Sequence, residues 1–158
     1  MPTYTVVNDL ATRERLTGAA IRGFLRIAVL WGLSRQERVA LLGAGRSRTT
    51  LQNWERRAAG AVLSADELMR VSLLVAIYEG LQRVWRRAPA TADAWVRRPR
   101  HEWPFHGHSP LAFMLDGGIP ALIETRQYVD GITEGPPSRA DDSEPPGEAV
   151  EDWSAPSG

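Results

Sequence analysis

Apolar residues recur at Ile21, Phe24, Leu25, Ala28 and Trp31, spacings of three and four that lay one stripe along a helix from Gly18 to Trp31. Arg22 and Arg26 fall to the side of that stripe. Gly32-Leu33 interrupts the pattern. Ser34 and Glu37 then form an S-x-x-E box, in which each side chain satisfies the other residue's free backbone donor, so a second helix runs to Leu42. Gly43-Ala44-Gly45 breaks the chain again. From Ser47 or Arg48 to about Arg57 a third helix is expected, with Leu51, Trp54 and Ala58 on one face. Residues 1–16 carry only a short Tyr4-Thr5-Val6-Val7 run and are left as an N-terminal arm.

Ser64 and Glu67 make another capping box. It opens a long apolar helix through Leu68, Val71, Leu74, Val75, Tyr78, Leu81 and Trp85. Leu73, Ile77 and Val84 add apolar surface beyond a single stripe, so this helix touches more than one neighbour and forms the spine of the domain. Pro89 ends it or follows its end. Thr91 can cap a short helix through Trp95 and Val96, and Arg97-Arg98-Pro99-Arg100 is a basic connection to a Gly/Pro/aromatic loop, His101 to His108. Ser109-Pro110 then joins a hydroxyl that caps to a ring pre-set for a first helical turn. That helix runs to about Leu115. Asp116-Gly117-Gly118 ends it, and Pro120 suits the start of another. Leu111, Met114, Leu115, Leu122 and Ile123 are read as ordinary core.

The expected fold is all-α: a small helix-turn-helix bundle joined by a long helix to a short helical C-terminal subdomain, with a disordered acidic tail. The boundaries are an arm at 1–17, the helix-turn-helix at 18–63, the connecting helix at 64–88, the C-terminal subdomain at 89–133 and the tail at 134–158. The tail is expected to be disordered alone, because Pro pairs and acids among small polar residues cannot offset the entropy of ordering. Trp153, an isolated aromatic among acids, is either a contact residue or a bystander.

The chain of 158 residues is long enough for a real core, and its formal charge is zero. That average hides an asymmetry. Residues 1–133 hold 18 Arg against 12 acids, a net +6, whereas residues 134–158 hold one Arg against seven acids, a net −6. A basic body suits phosphate or an acidic protein, and the tail would compete for it. With no Cys, disulfides and thiolate metal sites are excluded. No N-terminal apolar run suggests a signal peptide or membrane span, so the cytoplasm is the expected compartment.

The third helix has the composition of a DNA reader. Leu51 and Trp54 face inward, while Arg48, Thr49, Gln52, Asn53 and Arg56 project outward and Arg46 or Ser47 can hold phosphate at the helix start. Arg reads guanine and Gln or Asn reads adenine; the bland reading is a solvated helix face. His101, His106 and His108 invite a metal, but spacings of five and two in a Pro/Gly loop fix no ligand set. Gly43 to Thr49 lacks the strand and the Gly-Lys-Ser/Thr ending of a phosphate loop. Ser109 has no base at a recognisable spacing. We find no active site and no implied cofactor or metal.

Trp95, Phe105, Gly107, Ser109, Pro110, Leu111, Met114, Leu115, Gly117, Gly118 and Tyr128 stand in an order that resembles the C-terminal toxin-binding domain of the Xre/MbcA/ParS antitoxin family. Leu41-Leu42-Gly43, Thr50, Trp54 and the apolar run through Tyr78 resemble its Xre-like helix-turn-helix and connecting helix. The resemblance covers about Gly18 to Ile132. It implies a non-enzymatic antitoxin, a homodimer within a hetero-oligomer, that binds its own operator DNA and blocks a toxin encoded beside it, commonly a RES-domain enzyme that degrades NAD. The toxin contacts expected on this reading are Arg97, Arg98, Arg100, Phe105, His106, His108, Arg126, Tyr128, Gly131, Ile132 and Trp153. Such contacts would act by plugging the enzyme's cleft. The other reading is a helix-turn-helix transcription regulator without a toxin partner.

Overall fold

Reciprocal caps fix where two of the helices begin. Glu37 N–H donates to Ser34 Oγ at 3.1 Å while Ser34 N–H donates to Glu37 Oε1 at 2.8 Å. Ser64 and Glu67 repeat the arrangement at 3.1 and 2.8 Å. Each hydroxyl cap stabilises its helix by about 1 kcal/mol. The computed structural model describes residues 10–43 and 63–133. Its elements are α1 (Leu10–Leu30), α2 (Arg35–Leu42), α3 (Ala65–Val84), α4 (Pro89–Ala94), a 3-10 turn at Trp95–Arg97 and α5 (Pro110–Thr133). Among the described residues there is no strand, so the all-α expectation holds. The third helix and the acidic tail lie outside the described residues.

α1 starts at Leu10, within the stretch read as an arm. Its first turns carry no apolar stripe that periodicity could register, because Leu10 and Leu16 are exposed and only Thr17 is buried there. The Thr17 hydroxyl donates to Arg13 O at 2.5 Å and accepts Leu63 N–H at 3.1 Å. One polar side chain thus fastens the start of α1 to the entry of α3. α1 ends as its Gly32-Leu33 sequence directs: Gly32 takes φ +63°, Gly32 N–H donates to Val29 O at 3.1 Å and Leu33 N–H to Ala28 O at 2.8 Å. These are the paired bonds of a glycine-terminated helix, and the Leu33 side chain is buried beneath them.

α3 is the spine. Leu68, Val71, Leu73, Leu74, Ile77 and Leu81 are buried all round it, as a helix with neighbours on several sides requires. It packs on α1 and α5, with α2 and α4 at its ends. Gly80 sets the closest approach to α5: a Cβ there would lie 2.5 Å from Val129 Cγ1. α5 opens as its sequence predicts, Ala112 N–H donating to Ser109 Oγ at 3.1 Å with Pro110 in the first turn. The break expected over Asp116-Gly117-Gly118 is confined to one residue, Gly118, at φ 64° and ψ −146°. Leu111, Met114 and Leu122 are buried, and Leu115 and Ile123 pack half-buried against them. No helix among the described residues is long and apolar enough to cross a membrane.

Candidate partner-binding site

The segment between the 3-10 turn and α5 is a loop held shut from inside. Arg100 N–H donates to His108 O at 3.1 Å and Gly107 N–H to Arg100 O at 2.6 Å, pairing its two ends. Phe105 N–H and His106 N–H both donate to Glu102 O, at 2.9 and 3.3 Å, and His106 and Gly107 turn the chain at φ 48° and 97°. The Trp103–Pro104 peptide is cis.

Aromatic rings form the floor. Phe105 has no exposed surface and meets Trp95, Phe113 and Tyr128 edge-on at 5.7, 5.6 and 5.1 Å, while Trp95 stacks on Tyr128 at 5.9 Å. The Arg100 guanidinium lies 5.0 Å from the Trp95 ring centre and 3.6 Å from Glu102. Tyr128 Oη donates to Glu102 Oε2 at 2.6 Å. Burial first, then that bond and the Glu102 charge, push the Tyr128 phenol well above its ordinary range, so it stays a donor and keeps the loop fastened to α5.

This geometry sorts the expected toxin contacts. Phe105 and Arg100 are interior: the ring is the loop's anchor and the guanidinium is buried over Trp95, so neither offers a face to a partner. Arg98, His106, His108 and Gly131 are exposed. Tyr128 and Ile132 are half-buried against the core, and Arg126, also half-buried, lies 3.6 Å from Asp130. Trp153 and the residues expected to read DNA, Arg46, Ser47, Arg48, Thr49, Gln52, Asn53 and Arg56, fall outside the described residues. The three loop histidines are all exposed, and among the described residues no three His, Asp or Glu converge as a metal site would need.

One residue was missed by sequence reasoning. Trp103, 55% exposed, is the one large aromatic side chain exposed among the described residues. A Pro/Gly loop has no periodicity, so nothing in the order Trp103-Pro104-Phe105 tells which ring turns inward. A rigidly mounted, exposed Trp suits insertion into a partner's apolar pocket, since little side-chain freedom is lost on binding.

Arg97, although exposed, is also bonded within the fold. Its guanidinium donates to Trp31 O at 3.0 Å, Gly32 O at 2.7 Å and Glu37 Oε1 at 2.9 Å, tying the 3-10 turn to the turn between α1 and α2. The Arg97 bond, ahead of opposing desolvation and the Ser34 cap, holds the Glu37 carboxyl below its usual range. Arg97→Ala is expected to cost about 1–2 kcal/mol, because its charge-assisted bonds are lost but the pair is half in water and screened. Glu37 has a folded pKa below its unfolded value, so its share is fully present above the ordinary carboxyl range and is lost as pH falls through the lowered value. Urea midpoints of wild type and Arg97→Ala should therefore differ more at about pH 7 than at about pH 3. An equal difference at both would leave only the backbone carbonyls as Arg97's partners.

Residues 11–76, from the start of α1 to the middle of α3, match the antitoxin Xre-like helix-turn-helix domain. α1, α2 and the first part of α3 fall within that match, which places an antitoxin-type helix-turn-helix domain over this part of the chain. The chain belongs to one family with the uncharacterized protein y4oB of Sinorhizobium fredii, 37% identical over 117 residues, which span 74% of this chain and 86% of that protein.

Proposed function

We propose that this protein is the antitoxin of a type II toxin–antitoxin pair. Its 89–133 subdomain binds and blocks a RES-domain, NAD-degrading toxin, and its helix-turn-helix represses its own operator as a dimer in the cytoplasm. The match of residues 11–76 to the antitoxin Xre-like domain carries this reading. Support for the C-terminal half comes from the clamped loop that presents Trp103. A NAD-degrading enzyme needs a cleft for an anionic dinucleotide. A loop with the exposed Trp103, His106 and His108, following the exposed Arg98, can obstruct that cleft or its rim without any chemistry.

Co-expression tests the toxin half. The adjacent reading frame, toxic alone, should become tolerated when this chain is present, and the two should co-purify. A neighbour that is harmless, or a toxin left fully active by this chain, refutes it. For the operator half, Arg48→Ala or Gln52→Ala should each weaken binding to the upstream DNA by about 1–3 kcal/mol per lost base contact, roughly 5- to 150-fold. Unchanged affinity at physiological salt in both variants would exclude that helix as the reader.

A further inference from the structure

The far end of α3 carries a basic feature that neither half of this function uses. Arg83, Arg86 and Arg87 line, with Val84, a cavity of about 340 Å³. All three arginines are exposed, and among the described residues none has an ion pair. The acids on and beside this element are engaged elsewhere or unpaired with them: Asp93 accepts from Gln82 at 2.9 Å, and Glu79, one turn before Arg83, makes no bridge to it. A helix C-terminus welcomes one cation. Three around a cavity are a receptor for negative charge.

Position decides which anion. α3 has 20 residues, so its C-terminal end lies about 30 Å from its N-terminal end. The end of α5 is close instead. Val129 packs on Gly80, the Arg83 guanidinium lies 3.9 Å from the point a Gly80 Cβ would occupy, and α5 ends at Thr133, one helical turn past Val129. Residues 134–158, net −6, thus join the chain one helical turn past a residue packed against this end of α3. A chain of that length spans on the order of 25–30 Å, which gives its carboxylates a high effective concentration at the cavity.

We propose that the acidic segment 134–158 docks in cis on the Arg83/Arg86/Arg87 cavity, neutralising the basic end of the body and masking it from other polyanions. The site is electrostatic and shallow, so docking weakens as salt rises and any tighter polyanion can displace the segment. Asp141, Asp142 and Glu144 are the densest charge within reach.

The chain has no Cys, so Ser143→Cys can carry one nitroxide label on the full-length protein, and amide broadening by NMR locates it. The expected result is broadening centred on Arg83 to Arg87 at low salt and its loss at about 0.5 M salt. It should also be lost in Arg83→Gln/Arg86→Gln/Arg87→Gln and, as a check from the other side, in Asp141→Asn/Asp142→Asn/Glu144→Gln. Broadening spread evenly over the body, or unchanged by both charge-neutral variants, overturns the proposal. Broadening seen only between labelled and unlabelled copies in a mixed sample does so too, by making the contact intermolecular. If the arginine variant loses affinity for random duplex DNA while the label marks no site at the cavity, the cavity is a nucleic-acid contact and the proposal fails.

Discussion

On the proposed toxin-binding role, Trp103→Ala is expected to weaken the complex with the toxin encoded beside this chain by about 2–4 kcal/mol, roughly 30- to 1000-fold in Kd, while leaving the melting temperature of the free protein almost where it was. The two readouts separate because of where the ring sits. More than half of its surface is in water, so its removal creates no cavity, and a surface truncation of this sort changes stability by about 0.5 kcal/mol or less. On binding, the ring would lose that exposure against a partner pocket, and the loop beneath it is already ordered by paired backbone bonds and by the Tyr128–Glu102 contact. Little entropy then remains to be lost. Titration calorimetry on the purified pair gives the first readout and a thermal melt of the free chain the second. Toxin affinity unaltered by the substitution would remove Trp103 from the interface, and a large drop in melting temperature would make it a structural residue.

Two positions further on, Phe105→Ala should do the opposite. Its ring is wholly buried and meets three other aromatic rings edge-on, so truncation removes transfer free energy and leaves a void that Trp95, Phe113 and Tyr128 cannot fill without leaving their own contacts. The expected loss is about 3–5 kcal/mol of unfolding free energy. That is a large part of the stability of a small domain. Urea unfolding followed by Trp fluorescence measures it. A loss below about 1 kcal/mol would mean that the aromatic floor collapses freely and does not hold the loop.

The helices were legible where residues serve a local purpose. Ser34 and Ser64 with their glutamates three positions on, Gly32 after the α1 stripe, and Ser109-Pro110 each act on backbone groups within a few residues, and each sits where its chemistry requires. What stayed illegible depends on distant partners. The early start of α1 is held by Thr17, whose acceptor role is filled by Leu63, 46 residues away. The split between Trp103 and Phe105 is set by ring packing across α5 and the 3-10 turn. Arg97 reads as part of a basic linker, yet its bonds go to carbonyls 65 and 66 residues earlier, a role that no spacing encodes.

The contact between Gly80 and Val129 makes side-chain bulk a joint allowance for the two helices that meet there. A methyl group can be moved from one position to the other, as Gly80→Ala combined with a smaller residue in place of Val129, but it cannot simply be added, because the backbones already stand as near as the valine permits. Drift at either position is therefore constrained by its opposite number, and the spacing of the spine from the last helix is kept or changed only by paired substitution.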